Sequence, residues 1–269
     1  MGGGVLGASE LLRLGELLES LGIQDSGDAL ISLLSHQDSE GRQLLFSLLS
    51  RFDVCQFGQY QNKAHEVADI VMERLPPSIG NVLLLPLLGD VPARKSKSGD
   101  AISWLMSRRL RANVEASGRQ FAMASEHIPD ALLGRAASTA FVMVDDFIGS
   151  GKTARKAVDR LVGLGVPGAN IYVCSFVGMV RGETVLREAG VNCIMLSKQA
   201  RGISDAINID DKAAALEMMA RMEERNGVRD GFRLGYEQSE SLALMCFCPN
   251  NTFPVFWWDG PVWNGAFSR

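Results

Sequence analysis

Apolar segments of strand length alternate with amphipathic helical segments between residues 82 and 196, and this alternation constrains the fold most strongly. Apolar strands separated by helices are typical of a parallel sheet that helices cover on both faces. In such sheets, ligands bind at the carboxyl ends of the strands. The sequence therefore predicts an α/β fold with strands at 82–88, 119–124, 140–144, 171–179 and 191–196.

Different patterns flank the predicted sheet. Apolar residues at three- and four-residue spacing predict short helices within 8–76, for which we expect a packing or dimerisation role. After the sheet, 210–226 predicts another helix, and 241–269 predicts a strand, a turn, a second apolar strand and an aromatic tail. We therefore predict an N-terminal helical region at 1–60 and an α/β domain at 61–269.

The composition disfavours several classes of protein. The net charge is −4, whereas a general nucleic-acid binder usually has an overall excess of basic residues. Nucleic-acid binding would therefore need a local basic patch. No apolar run approaches the ~20 residues of a membrane helix. Five cysteines without disulfide spacing, and no secretion signal, indicate a reducing cytoplasm, and the three histidines form no metal-binding cluster. We expect Cys246 and Cys248 to be buried thiols on one strand.

The segment FVMVDDFIGSGKT, at 141–153, carries the residues best suited to chemistry. Its last five residues match the end of an ATP-binding P-loop. That motif requires a glycine at the position of Asp146. A carboxylate there would repel a bound phosphate, so the sequence disfavours a P-loop kinase or ATPase.

A ribose 5-phosphate site explains the same segment better. Asp145 and Asp146 follow the predicted strand, and their carboxylates can accept hydrogen bonds from the two hydroxyls of a ribose. The glycine-containing turn after them and the start of the next helix offer N–H groups to a monophosphate. We therefore predict ribose binding by the two aspartates and 5-phosphate binding by Gly149, Ser150, Gly151, Lys152 and Thr153.

This segment resembles the phosphoribosyl pyrophosphate (PRPP) motif of type I phosphoribosyltransferases, with four apolar residues, two acids and a loop rich in small residues. Phe147 and Gly149 depart from the usual residues of the motif, and neither removes a backbone donor. The resemblance implies a Rossmann-like parallel sheet with an N-terminal helical region and a C-terminal hood. It also implies a pyrophosphate loop and a basic lid, for which the candidates are Gly89, Asp90, Arg94, Lys95 and Lys97.

The activity that the resemblance implies is displacement of pyrophosphate from PRPP by a nitrogen nucleophile. Asp145 and Asp146 are then the catalytic candidates and hold the ribose hydroxyls, directly or through Mg²⁺, which is bound mainly through the substrate. A non-catalytic module that senses PRPP or a nucleotide, or serves as a scaffold, would use the same residues and stays open. Phe256, Trp257 and Trp258 are candidates for stacking on a base, with a buried aromatic cluster as the alternative.

The C-terminal segment PNNTFPVFWWDGPVWNGAFSR is similar to the tail of a phosphoribosyltransferase-like group linked to bacterial conflict and anti-phage systems. Some members of that group accompany retron reverse transcriptases. The similarity implies a defence role and a reverse transcriptase or RNA–DNA partner. We also expect a homo-oligomer.

Overall fold

The computed structural model describes residues 4–87, 98–125 and 127–269. Its helices are α1 (Ala8–Leu21), α2 (Gly27–Ser35), α3 (Ser39–Leu49), α4 (Tyr60–Arg74), α5 (Ser98–Ala116), α6 (Asp130–Leu133), α7 (Lys152–Gly163), α8 (Val180–Glu188) and α9 (Lys212–Arg225). Its strands are β1 (Asp53–Val54), β2 (Asn81–Pro86), β3 (Gln120–Met123), β4 (Thr139–Ile148), β5 (Ile171–Met179), β6 (Asn192–Gln199) and β7 (Ala243–Leu244).

The chain divides into two compact units, and two separate stretches of sequence form one of them. The first unit contains Met1–Gln56 together with Ala200–Arg269, and the second contains Phe57–Gln199. The N-terminal helices therefore share a unit with the C-terminal segment. The division of the chain into domains 1–60 and 61–269 stays a prediction.

A five-stranded sheet forms the centre of the second unit, and its strands lie in the order β3-β2-β4-β5-β6. Every neighbouring pair is parallel. The predicted α/β fold is confirmed. The central strand β4 is hydrogen-bonded to β2 on one side and to β5 on the other, so its carboxyl end lies where ligands bind in sheets of this kind.

Helices pack on both faces of this sheet because its central strands carry apolar side chains on both faces. Successive residues of a strand point to opposite faces. Phe141 and Met143 of β4 belong to a buried cluster that includes Val158 and Leu161 of α7. Helices α4 and α5 pack against each other, with α5 against β2 and β4 and α4 against β5 and β6. Removal of this apolar surface from water stabilises the unit by about 1.5–3 kcal/mol for each large side chain.

Strand β4 extends beyond the apolar run that predicted it. The prediction ended the strand at Val144, whereas the ladder with β5 continues from Asp145 opposite Ser175 to Ile148 opposite Gly178. Both aspartates therefore lie within the strand. The apolar pattern ends where the side chains become polar, but the backbone hydrogen bonds that define the strand do not depend on side-chain polarity.

The core of the first unit combines leucines of the N-terminal helices with aromatic residues of the C-terminal segment. Leu30, Leu45 and Leu48 are fully buried in the same cluster as Phe253 and Phe256. The short strands β1 and β7 pair in parallel and link the two stretches of sequence. Asp38 caps α3, where its Oδ1 accepts a hydrogen bond from the N–H of Gly41 at 2.8 Å.

Two predictions about the C-terminal segment are wrong. The second apolar strand is replaced by one turn of 3-10 helix at Pro254–Phe256, whose first residue is a proline, a residue favoured at helix starts. Cys248 is buried but Cys246 is exposed, and neither lies in a strand, so they are not two buried thiols on one strand. Among the helices of the described ranges, none combines the length and apolarity needed to cross a membrane.

Candidate functional site

The two adjacent aspartates near the carboxyl end of β4 are the centre of the candidate site. Asp145 and Asp146 are both partly buried. The Oδ1 atom of Asp145 accepts a hydrogen bond from Ser98 Oγ at 2.5 Å and another from the backbone N–H of Asp146 at 2.9 Å. The Oδ2 atom of Asp146 accepts a hydrogen bond from Tyr60 Oη at 2.8 Å. The pair is therefore held by donors from three separate parts of the sequence.

The charge of the pair depends on its burial. Removal from water raises the pKa of Asp145 to about 8, and the neighbouring charge of Asp146 adds to this effect. The hydrogen bonds from Ser98 and from the Asp146 backbone act in the opposite direction. Because the burial effect is the largest, folding favours the protonated form of Asp145 more than the unfolded chain does.

Tyr60 and Ser98 were missed by sequence reasoning, because each lies far from the aspartates in sequence. Tyr60 is 86 residues and Ser98 is 47 residues from its partner. Each is the first residue of a helix, α4 and α5 respectively, and these two helices pack on the same sheet. One weak signal could have identified Tyr60 and Ser98. Each is a polar residue at the start of an amphipathic helix, on the side of the sheet where the strands have their carboxyl ends.

The predicted phosphate loop connects β4 to the start of α7. Gly151 adopts the left-handed conformation, with φ of 79°, immediately before the first residue of the helix. A helix start exposes N–H groups that lack partners within the helix, and the helix dipole favours an anion there. Gly149 and Gly151 are buried, whereas Lys152 and Thr153 are exposed. The loop therefore combines backbone donors with an exposed lysine, a combination that suits the binding of a phosphate.

The shape of this loop depends on a close contact with α8. A Cβ atom on Gly182, in the first turn of α8, would lie 2.5 Å from the carbonyl oxygen of Gly149. A Cβ atom on Gly151 would lie 3.1 Å from the Cα of Gly182. Because both positions are glycine, the loop lies directly on the helix backbone. Gly182 is a second feature of the site that the sequence pattern did not identify.

Two groups of predicted site residues lie outside the described part of the unit that contains the acid pair. Gly89, Asp90, Arg94, Lys95 and Lys97, the candidates for the pyrophosphate loop and the lid, lie outside the described residues. The candidates for base stacking, Phe256, Trp257 and Trp258, belong to the first unit rather than to the unit that contains the aspartates.

The three stacking candidates lie in an aromatic cluster of the first unit. Phe256 is fully buried and Trp257 is 7% exposed, while Trp258 is partly buried. The ring of Phe256 contacts Phe52 edge-on at 5.0 Å between centroids, and Trp257 Nε1 donates to the carbonyl of Thr252 at 2.7 Å. These contacts stabilise the core of the unit. A role in base binding stays a prediction.

Among the described residues of the site, the acid pair supplies the carboxylate oxygens that could bind a metal ion. Within residues 4–87, 98–125 and 127–269, no three His, Cys, Asp or Glu side chains are grouped so that they could hold a metal ion. Two adjacent carboxylates fit a Mg²⁺ ion that obtains most of its ligands from a bound phosphate compound, since Mg²⁺ prefers oxygen ligands and retains waters or substrate oxygens.

The parallel sheet, with an acid pair and the predicted phosphate loop at the end of its central strand, is that of an α/β protein of the phosphoribosyltransferase-like class. A model of the PRTase-CE family matches residues 29–269, and the chain therefore belongs to this family. A search of the curated proteins finds no match to the chain.

Three solved structures are similar to about half of the chain. The APRTase of Giardia lamblia complexed with 9-deazaadenine has 11% identity and a TM-score of 0.34, covering 52% of this chain and 79% of that one. The hypoxanthine-guanine phosphoribosyltransferase of Schistosoma mansoni in complex with IMP has 18% identity and a TM-score of 0.34, covering 57% and 73%. The adenine phosphoribosyl transferase of Trypanosoma brucei in complex with AMP, pyrophosphate and ribose-5-phosphate has 14% identity and a TM-score of 0.33, covering 56% and 68%.

Proposed function

We propose that this protein binds PRPP or a nucleotide that contains ribose 5-phosphate, and that it transfers or cleaves the ribosyl group with Mg²⁺. The observation that carries the proposal is the order of groups along β4 and α7. The acid pair Asp145–Asp146 is followed within a few residues by Gly149, Gly151 and the start of a helix. Membership of the PRTase-CE family supports the same activity.

Each part of the site has a role in this proposal. The carboxylates of Asp145 and Asp146 accept hydrogen bonds from the two ribose hydroxyls. The N–H groups of the loop 149–153 bind the 5-phosphate, and Lys152 adds a positive charge. Held in this way, the anomeric carbon can be attacked by a nitrogen nucleophile while pyrophosphate leaves. The site then lowers the barrier by positioning the reactants and by stabilising the charge that develops on the leaving group.

When bound, Mg²⁺ would be held mainly by oxygens of the ligand, and the acid pair would be the protein groups nearest to it. It then supplies charge stabilisation to the leaving pyrophosphate.

A binding module that senses PRPP or a nucleotide without turnover is the second candidate function. It would use the same acid pair and the same loop at 149–153, because binding and catalysis of such a ligand need the same groups. A P-loop kinase or ATPase is less well supported. The position that a P-loop fills with glycine is Asp146, which lies within β4 and accepts a hydrogen bond from Tyr60.

The cellular role that we propose is anti-phage defence in the cytoplasm, as a homo-oligomer or with a retron reverse transcriptase or an RNA–DNA partner. The similarity of the C-terminal segment to conflict-associated proteins supports this proposal. Co-purification from the native host tests it. Recovery of the protein without any nucleic acid or reverse transcriptase would contradict the association.

A thermal-shift screen tests the proposed ligand. We expect PRPP and ribose 5-phosphate with Mg²⁺ to raise the melting temperature, because a ligand that binds only the folded state stabilises it. We expect the double substitution Asp145→Asn with Asp146→Asn to remove this shift. Stabilisation by ATP but not by PRPP would instead favour the P-loop alternative, and unchanged PRPP binding in the double variant would contradict the proposed site.

Release of pyrophosphate separates catalysis from sensing. We expect the purified protein with Mg²⁺ and PRPP to release pyrophosphate when it is given its acceptor. PRPP binding without release of pyrophosphate from PRPP, when nucleobases, nucleotides and tRNA are offered as acceptors, would favour the sensing module.

A further inference from the structure

Two hydroxyl groups from outside the segment 141–153 bind the acid pair, one on each carboxyl group. Tyr60 Oη donates to Asp146 Oδ2 at 2.8 Å, and Ser98 Oγ donates to Asp145 Oδ1 at 2.5 Å. Their positions at the first residues of α4 and α5 place one hydrogen-bond donor from each of two neighbouring helices on the pair.

The ring of Tyr60 is fixed by its surroundings. The residue is 3% exposed, and its ring contacts Phe176 of β5 edge-on, with centroids 5.2 Å apart and an interplanar angle of 89°. The ring of Phe57 lies 5.9 Å from that of Tyr60 between centroids, tilted by 35°. A buried ring in such contacts has few alternative rotamers, so its hydroxyl is held at one place. The hydroxyl therefore presents a fixed donor to Asp146.

The position of Ser98 is set by the glycine that follows it. A Cβ atom on Gly99 would lie 2.7 Å from the carbonyl oxygen of Val144 and 3.2 Å from the backbone nitrogen of Leu87. The start of α5 can therefore lie against the end of β2 and against β4 only because residue 99 has no side chain. Val144 directly precedes Asp145 in β4, so this contact brings the Ser98 hydroxyl to the Asp145 carboxyl group.

Fixed hydrogen-bond donors matter here because the orientation of two adjacent carboxyl groups has to be set by other groups. Successive side chains of a strand point to opposite faces, so the two carboxyl groups need further contacts if both are to face one ligand. A hydrogen bond to a carboxylate is stronger than one between neutral groups and selects one rotamer. Functional groups act well only when they are held to about 0.5 Å, which usually requires supporting residues behind them.

We propose that Tyr60 and Ser98 are positioning residues, which hold one oxygen of each carboxyl group so that the second oxygen of each faces the ribose hydroxyls. The proposal rests on the proposed function for its ligand, but the positions of the two carboxyl groups can be tested without any ligand. Neither hydroxyl touches a reacting atom in this proposal. Both act through the aspartates.

Tyr60→Phe tests the first hydroxyl, because it removes one oxygen atom and keeps the buried ring. We expect the affinity for PRPP and for ribose 5-phosphate, measured by titration calorimetry, to fall about tenfold, since small displacements at a reactive site have large effects. We expect the affinity for inorganic phosphate, which needs only the loop 149–153, to stay unchanged. A crystal structure of the ligand-free variant should show the Asp146 carboxyl group displaced by more than about 0.5 Å.

Tyr172→Phe is the matched control. Tyr172 is also buried in the sheet, but its hydroxyl donates to the carbonyl of Arg74 at 3.3 Å, and it lies near the amino end of β5. We expect this variant to bind PRPP as the wild type does. A loss of PRPP affinity in both variants would show a general effect of removing a buried hydroxyl and would overturn the proposal for Tyr60.

Ser98→Ala tests the second hydroxyl, with Ser103→Ala as its control on the same helix. Ser103 is buried, and its hydroxyl has no hydrogen-bond partner among the described residues. We expect Ser98→Ala to weaken the binding of PRPP and ribose 5-phosphate selectively and Ser103→Ala to leave it unchanged. Equal PRPP affinity in wild type and in Ser98→Ala would overturn the proposal for Ser98.

Two results separate this proposal from the proposed function. If the wild type binds PRPP and Tyr60→Phe binds it equally well, the positioning role of Tyr60 is overturned and the function stands. If the wild type does not bind PRPP, the proposed function fails. The positioning role of Tyr60 is then tested by comparing the ligand-free crystal structures of the wild type and of Tyr60→Phe. A displaced Asp146 carboxyl group would support the positioning role, and an unmoved one would overturn it.

Discussion

The charge of Asp145 depends on its surroundings. Its pKa of about 8 lies well above the value of about 3.9 that an aspartate has in an unfolded chain. Between these two values the folded protein holds a proton that the unfolded chain has lost. The free energy of unfolding therefore decreases as the pH rises through this range, and the contribution of the protonated group is lost above about pH 8.

We expect Asp145→Asn to stabilise the protein relative to wild type, and to do so more at about pH 9 than at about pH 6, because asparagine cannot acquire the buried negative charge. Urea unfolding at the two pH values measures the difference in free energy. Glu115→Gln, a change at an exposed carboxyl group of α5, is the control and should show no such trend. An equal effect of Asp145→Asn at both pH values would contradict the raised pKa.

At the scale of elements, the site is formed where the loop after β4 rests on α8. The contact needs glycine at residue 182, since a methyl group there would meet the Gly149 carbonyl at 2.5 Å. The loop therefore has its shape because of a residue that lies on another helix and would not contact the phosphate itself.

We expect Gly182→Ala to displace the loop and to weaken PRPP and inorganic phosphate binding together, by about tenfold or more, while the protein still folds. Gly163→Ala, at the last residue of α7, is the matched control, because a Cβ atom there meets nothing within 4 Å. Titration calorimetry of the two variants makes the comparison. Normal phosphate affinity in Gly182→Ala would contradict the prediction, because it would show that the loop binds phosphate despite the added methyl group.

The elements also show which parts of the structure the sequence can predict. The bounds of β5 were predicted correctly, because the strand is mostly apolar and is buried along its whole length. A ribose 5-phosphate site could be predicted at 141–153 because the aspartates, the glycines and the start of the helix follow one another in the sequence. The contacts of Tyr60, Ser98 and Gly182 could not be predicted, since they depend on how distant helices pack and produce no periodic pattern.

At the scale of the whole molecule, the first unit is notable because two stretches far apart in sequence share one core. Phe52 contacts Phe256 at 5.0 Å and Phe267 at 5.3 Å between ring centroids. The backbone N–H of Cys248 donates to the carbonyl of Ser268 at 2.8 Å. Residues beyond 200 are therefore part of the core around the N-terminal helices. The sequence did not predict this shared core. The helical pattern of residues 8–76 shows which residues are apolar but not which other part of the chain packs against them.

We expect Phe267→Ala to destabilise this unit by about 3–5 kcal/mol, as is usual for a buried phenylalanine. Hydrogen exchange followed by mass spectrometry should show faster exchange in α3 and in the C-terminal segment alike, because both contribute to the same core. Phe247→Ala is the control, since Phe247 is 67% exposed. Faster exchange confined to the C-terminal segment would contradict a shared core.

The division of the first unit also determines the order in which the chain can fold during its synthesis. Phe57–Gln199 is continuous, so this unit can fold as soon as it has emerged from the ribosome. The helices before it emerge earlier but cannot complete their core until Phe267 has followed. Helices α1, α2 and α3 are therefore made before the second unit but become stable after it, and a product that stops short of the aromatic tail carries exposed leucines on these helices.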